Sequence, residues 1–182
     1  GSLITDFSKL LKQEASRKPS GQHILDEEYY KRIEAIQFTM SHDDGKKLDD
    51  IVEAEIVLLG VSRTSKTPTS MYLANRGYKT ANIPLVMEQK IPEELKSKNN
   101  KICIIGLVTD PERLADVRRN RVTMMKETSI KEYTDLDSIK EEIDRSKKLF
   151  KKYNWPTIDV TRKSVEESAA SILKIYEIQK SK

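Results

Sequence analysis

Eight consecutive residues hold the clearest chemical promise in the chain. Gly60-Val61-Ser62-Arg63-Thr64-Ser65-Lys66-Thr67 follows the apolar run Ile56-Val57-Leu58-Leu59 and precedes a stretch whose pattern predicts a helix over residues 67–75. A phosphate-binding loop belongs at such a junction, because a helix start exposes unpaired N–H groups and the positive end of its dipole. In that reading Lys66 reaches the terminal phosphate and the Thr67 hydroxyl holds Mg²⁺. Pro68 is tolerated in a first helical turn, and Arg63 adds a fork-shaped phosphate donor within the loop. Loops of this kind usually carry glycine immediately before the lysine, where this chain has Ser65. On spacing alone, a strand-to-helix turn with a solvated lysine competes with the phosphate reading.

Two arginines form a second candidate set. Asp110-Pro111 opens a predicted helix running to about Met125, and at ~100° per residue Leu114, Val117, Arg118, Arg121 and Met125 share about one third of its circumference. Arg118 and Arg121 therefore fall on the stripe expected to face the protein, while Arg119 points away. A buried guanidinium needs an anion, either a bound phosphate or a carboxylate on a neighbouring helix. The candidate carboxylates are Asp43, Asp44 and Asp110. Asp110 follows a strand at the edge where α/β proteins bind ligands, yet aspartate before proline is also an ordinary helix cap. Asp43-Asp44-Gly45 reads equally as a turn. His23 and His42 lack metal-ligand spacing and are read as structural.

These groups need a scaffold, and the remaining sequence supplies one. The chain has 182 residues, 37% hydrophobic and 34% charged, with 33 Lys and Arg against 29 Asp and Glu. The net charge of +4 is too small to argue for nucleic acid binding. A single cysteine, Cys103, excludes an internal disulfide framework and a cysteine-cluster zinc site. No apolar run approaches the ~20 residues that cross a bilayer, and no basic-then-apolar leader opens the chain, so a cytoplasmic protein is expected.

Strands are predicted at Ile56–Leu59, Thr80–Val86, Ile102–Val108 and Thr157–Val160. Runs apolar on both faces and separated by helices indicate a parallel sheet covered on both sides. Capping boxes are expected at Ser138 with Glu141 and at Ser164 with Glu167. Ahead of this unit, Leu3, Phe7, Leu10 and Leu11 mark a helix over residues 3–18, stopped by Pro19-Ser20-Gly21. A second helix runs from about Asp26, its cap, to Met40, with Tyr29, Ile33, Ile36 and Met40 on its apolar side. The fold class is α/β: a P-loop-type parallel sheet flanked by helices, with an N-terminal helical extension. Residues 1–45 form that extension with its Asp-Asp-Gly turn, packed on a kinase-like catalytic domain at 46–182.

Beyond these local patterns, Gly60 through Ser70 with Tyr72-Leu73-Ala74 resembles the phosphate loop of the pyruvate, phosphate dikinase regulatory proteins and the related phosphoenolpyruvate synthase regulatory proteins. Serine at the position of Ser65 is familiar in that family. The resemblance extends over Tyr30 with Arg32 to Ile36, Ser41 to Gly45, Lys79 to Val86, Gly106-Leu107, Asp110 to Leu114, and Arg118 with Arg121. It continues through Trp155 to Thr161 and Ser164 to Ala170, nearly the whole chain in the family's order. The family's chains have an additional N-terminal portion, so this chain is read as a C-terminal fragment.

The resemblance implies a bifunctional enzyme. It would phosphorylate a threonine of the dikinase with ADP as donor, inactivating it. It would reverse this with inorganic phosphate as co-substrate, releasing pyrophosphate and restoring activity. Lys66 and the loop N–H groups would hold the β-phosphate, with Arg118 and Arg121 on the transferring phosphoryl group or the inorganic phosphate. Asp43 or Asp44 would be the base, with Asp110 in reserve. The Thr64-Ser65 loop and Ala81-Asn82-Ile83-Pro84 favour the dikinase over the synthase as target, and a homodimer is implied by similarity. A small-molecule kinase and a non-catalytic nucleotide-binding module remain alternatives.

Overall fold

The apolar runs lie side by side. In the computed structural model, which describes residues 27–86, 91–97, 101–125 and 131–181, four strands form one sheet. They are β1 (Ile56–Gly60), β2 (Thr80–Pro84), β3 (Cys103–Val108) and β4 (Thr157–Asp159), in the order β2-β1-β3-β4. Every neighbouring pair is parallel. The helices are α1 (Glu27–Ser41), α2 (Lys66–Asn75), α3 (Glu93–Lys96), α4 (Pro111–Met125), α5 (Lys131–Thr134), α6 (Leu136–Lys152) and α7 (Val165–Lys180).

Because side chains alternate along a strand, the two central strands feed two cores. Val57, Leu59 and Ile104 pack with Leu95 of α3 and Phe150 of α6. Ile56, Leu58, Cys103 and Ile105 pack with Leu73 of α2 and with Ile172 and Tyr176 of α7. A third cluster joins Val61, just past β1, to Leu114 and Ala115 of α4 and Ile139 and Ile143 of α6. From β1 the chain crosses to β2 on one side and then returns to β3 on the other. The segments after β1 and β3 therefore leave in opposite directions, which opens a crevice at their carboxyl ends.

The N-terminal elements cover an exposed sheet edge. Thr80 N–H donates to the Thr39 hydroxyl at 3.2 Å and Asn82 N–H to the His42 carbonyl at 3.4 Å, so α1 and the residue after it occupy the outer edge of β2. This task reverses the expected orientation of α1. Ala35, Phe38 and Thr39 are buried, while Tyr29, Ile33 and Met40 of the predicted apolar side are exposed. A strand edge and an adjacent helix call for a small residue and a hydroxyl, which the apolar pattern cannot signal.

Two further boundaries differ from the sequence reading. Helix α6 is capped by Asp135, whose carboxylate accepts the Ser138 N–H at 2.9 Å and its hydroxyl at 3.0 Å, while Glu141 pairs with Arg145. Starting the helix there adds Leu136 to the face that packs on the third cluster. Strand β2 ends at Pro84 rather than Val86, because β1 ends at Gly60, whose carbonyl takes a last hydrogen bond from the Leu85 N–H at 3.0 Å. The Ser164–Glu167 capping box forms as expected. The helix over 3–18, its stop, His23 and the Asp26 cap lie outside the described residues.

At Gly106 the sheet lies directly against the Phe150 ring of α6. A Cβ there would stand 2.7 Å from Cγ of Phe150, a fully buried ring. Gly106→Ala should therefore cost about 1–3 kcal/mol, as overpacking does. Urea denaturation measures it, and an unchanged midpoint would contradict the packing described.

Candidate functional site

The loop after β1 is shaped by one missing side chain and two left-handed residues. A Cβ on Gly60 would lie 2.7 Å from the Thr64 hydroxyl and 3.0 Å from the Leu107 carbonyl, so glycine lets the loop fold back over the strand ends. Thr64 is buried there and donates to the Val61 carbonyl at 2.9 Å. Arg63 and Ser65 have φ of 71° and 59°. Ser65 thus adopts the conformation for which glycine is usual, and holds strain of the kind that accumulates at functional loops. Turns that visit the left-handed region are also the backbones that form anion-binding concavities.

Lys66 opens α2 and is not solvated. It is 5% exposed, and its ammonium donates to the Val61 carbonyl at 2.9 Å. Burial foremost pushes its pKa down to about 8, with Arg118 and Arg63 adding to the effect and Asp44 and Asp43 opposing it. An ammonium with three donors and, among the described residues, one hydrogen-bond acceptor, at the start of a ten-residue helix, is suited to receive an anion.

The carboxylates divide into two places. Asp43 Oδ1 accepts the Thr67 hydroxyl at 2.8 Å and the Asn82 amide at 2.7 Å, and Asn82 Oδ1 accepts the Asp44 N–H at 3.1 Å. Asp43 and Asp44 therefore stand beside Lys66 and Thr67. Asp44 is exposed with φ of 53°. Asp110 is elsewhere: exposed after β3, it caps α4 by accepting the Arg113 N–H at 3.0 Å. It borders a cleft of about 930 Å³ with Arg113, Asp159, Thr161, Arg162 and Lys163. The Thr67 hydroxyl and the Asp43 carboxylate are hard oxygen donors 2.8 Å apart. That set fits Mg²⁺, which takes few protein oxygens and keeps the rest for phosphates and water.

Arg118 and Arg121 part company. Arg118 is 1% exposed, and its two terminal nitrogens meet Glu142 of α6 at 3.1 and 2.8 Å. The same nitrogens also donate to the Tyr133 carbonyl at 3.2 Å and the Ser62 carbonyl at 3.3 Å, and the guanidinium lies over the Tyr133 ring. Tyr133 in turn shares a hydrogen bond with the Ser62 hydroxyl at 3.1 Å. Arg118 therefore ties the loop to α5 and α6, with a helix carboxylate as its anion. Arg121 is exposed, contrary to its expected inward position, nearly two turns beyond the packed Leu114 and Ala115.

Sequence reasoning gave neither Asn82 nor Glu142 a role in the site. Asn82 was detectable as an amide inside a strand whose first four positions are all buried. Among the described residues no helix is long and apolar enough to cross a membrane.

The chain matches the family model described as kinase/pyrophosphorylase over residues 1–173. It is 64% identical to a provisionally named pyruvate, phosphate dikinase regulatory protein of Pelagibacter ubique, over 99% of this chain and 66% of that protein. Similarly named proteins of Erythrobacter litoralis and Rhizorhabdus wittichii are 52% and 49% identical over 91% and 95% of this chain. The chain spans 59% and 63% of those two proteins, so it corresponds to roughly three fifths to two thirds of its relatives' length. With the family model matched over nearly all its residues, the chain belongs to the kinase/pyrophosphorylase family.

Proposed function

We propose that this chain carries the phosphoryl-transfer site of a bifunctional regulator of pyruvate, phosphate dikinase. In one direction the β-phosphoryl group of ADP passes to a threonine hydroxyl of the dikinase, giving phosphothreonine and AMP. In the other, inorganic phosphate attacks the phosphothreonine, and threonine and pyrophosphate leave. The observation that carries this reading is the Thr67 hydroxyl on Asp43 at 2.8 Å, directly after the buried Lys66. The family description and the relatives' names support the choice of reaction and target. The same chemistry on phosphoenolpyruvate synthase is the nearest alternative.

Both directions place two phosphates close together, so cationic and N–H donors must converge on them. Lys66 and the N–H groups at the start of α2 would bind the β-phosphate. Thr67 and Asp43 would hold Mg²⁺, which when bound neutralises developing charge on the phosphate oxygens. Because Asp43 Oδ1 already accepts two hydrogen bonds, the base falls to Asp44, whose exposed carboxylate would take the proton of the threonine hydroxyl. Arg118 would brace the loop through Ser62, and the exposed Arg121 is left for the inorganic phosphate.

The protein incubated with ADP, Mg²⁺ and phosphorylated dikinase should yield AMP and a phosphothreonine, and Asp44→Asn should lower that rate by at least ~10²-fold. AMP formed without the dikinase would favour a small-molecule kinase. ADP binding without turnover would favour a nucleotide-binding module, and a full rate in Asp44→Asn would assign the base elsewhere.

The depressed Lys66 pKa gives a signed pH dependence. A bound phosphate favours the ammonium, so binding takes up a proton and weakens as pH rises through about 8. Without ligand the sign reverses: folding stability rises with pH between about 8 and the ordinary 10.5. Calorimetric ADP affinity should fall by up to roughly tenfold per pH unit above 8. An affinity flat from about pH 7 to 9.5 would contradict the contact with Lys66.

A further inference from the structure

Asn82 is a buried amide in β2, flanked by two buried apolar residues. It is 0% exposed, between Ala81 and Ile83. Its Nδ2 donates to Asp43 Oδ1 at 2.7 Å and to the Ser70 hydroxyl of α2 at 3.2 Å, while Oδ1 accepts the Asp44 N–H at 3.1 Å. The partners fix the orientation of the amide, since a carboxylate only accepts and a backbone N–H only donates.

The turn it holds has little else to define it. Within the turn Asp43–Gly45 the backbone makes one hydrogen bond, from Lys46 N–H to the Asp43 carbonyl at 3.3 Å, and Asp44 lies in the left-handed region. On the far side His42 is anchored in the core. Its ring is 1% exposed, stacked on Phe38 with centroids 3.8 Å apart, and bonded to the Phe38 carbonyl at 2.7 Å and to Asp50 at 2.8 Å. His42 thus fixes where the turn begins. Asn82 fixes where its two carboxylates stand relative to α2.

We infer that Asn82 is a positioning residue for phosphoryl transfer: its amide sets the Asp43–Asp44 turn against the start of α2, giving Asp43 to the Thr67 hydroxyl and leaving Asp44 for the substrate. The inference rests on the phosphoryl-transfer reading above. It separates two quantities that a merely structural residue would change together. Among the described residues no side-chain hydrogen bond of Asn82 reaches Lys66 or residues 60–65, its partners being Asp43, Asp44 and Ser70, so ADP binding without metal survives its replacement. The contribution of Mg²⁺ to binding and the rate of transfer depend on the carboxylates, and both fall.

The test compares the unsubstituted chain with Asn82→Leu, which keeps the branched shape and removes the bonds, by calorimetry with ADP alone and with ADP plus Mg²⁺. Asn82→Leu should bind metal-free ADP within about threefold of the unsubstituted chain and lose ~10-fold or more of the Mg²⁺-dependent gain, as when a partner of a metal-binding carboxylate is removed. With the dikinase and Mg²⁺, kcat should fall by roughly 10²-fold, the effect of a misplacement near 1 Å, while KM for ADP rises only about as much as the Mg²⁺-dependent affinity falls. If Asn82→Leu gives no cooperative melt, Asn82→Ala, which removes the same bonds without adding charge, is read the same way. A folded variant with unchanged Mg²⁺ dependence and kcat overturns the positioning role alone. An unsubstituted chain that binds no ADP overturns the phosphoryl-transfer reading, and this inference with it.

Discussion

A lysine ammonium buried at the end of a parallel strand is the constraint on which the rest of the site depends. Burying a cation is unfavourable unless an opposite charge answers it, and Lys66 has one carbonyl, at Val61, and the fields of Asp43 and Asp44. Its neighbours Arg118 and Arg63 make the balance worse. A fold that keeps three cationic residues around one helix start, two of them buried, gains most when an anion occupies that position. A phosphate would supply that charge and match the N–H groups of the helix start.

The scaffold is arranged to preserve this imbalance. The sheet order β2-β1-β3-β4 puts the loop after β1 at the crevice where the chain reverses direction. Gly60 lets Thr64 tuck beneath the loop, and Arg118, held by Glu142, grips the Ser62 carbonyl from the opposite side. A charge-assisted pair of that kind is costly to break, because a lone buried guanidinium would remain. The acidic side of the site arrives from outside the sheet, on a turn held by a strand-edge amide and an anchored histidine. In this arrangement the segment before β1 is part of the site itself.

The strands were legible because unbroken β-branched and leucine runs have few other places to go, and the loop because glycine and Lys-Thr flank a strand-to-helix junction. What was hidden follows from what a periodic pattern measures. A helical wheel gives the direction of a side chain but not the extent of the partner surface, so Arg118 and Arg121 looked equivalent although α4 runs past its packed cluster before Arg121. The same limit misplaced the buried side of α1, where a sheet edge selected Ala35 and Thr39 over the larger Ile33 and Met40. Asp43 and Asp110 could not be ranked along the chain. One meets Thr67 and the other caps α4 only because of how β2 and β3 are placed.

The central claim is that Lys66 and the start of α2 form the seat of a diphosphate. A crystal structure of the chain with ADP and Mg²⁺ tests it most directly. The β-phosphate is expected against the Lys66 ammonium, and Thr67 and Asp43 would hold the metal. A diphosphate lodged in the cleft beside Asp110 and Arg162, with the loop empty, would contradict it.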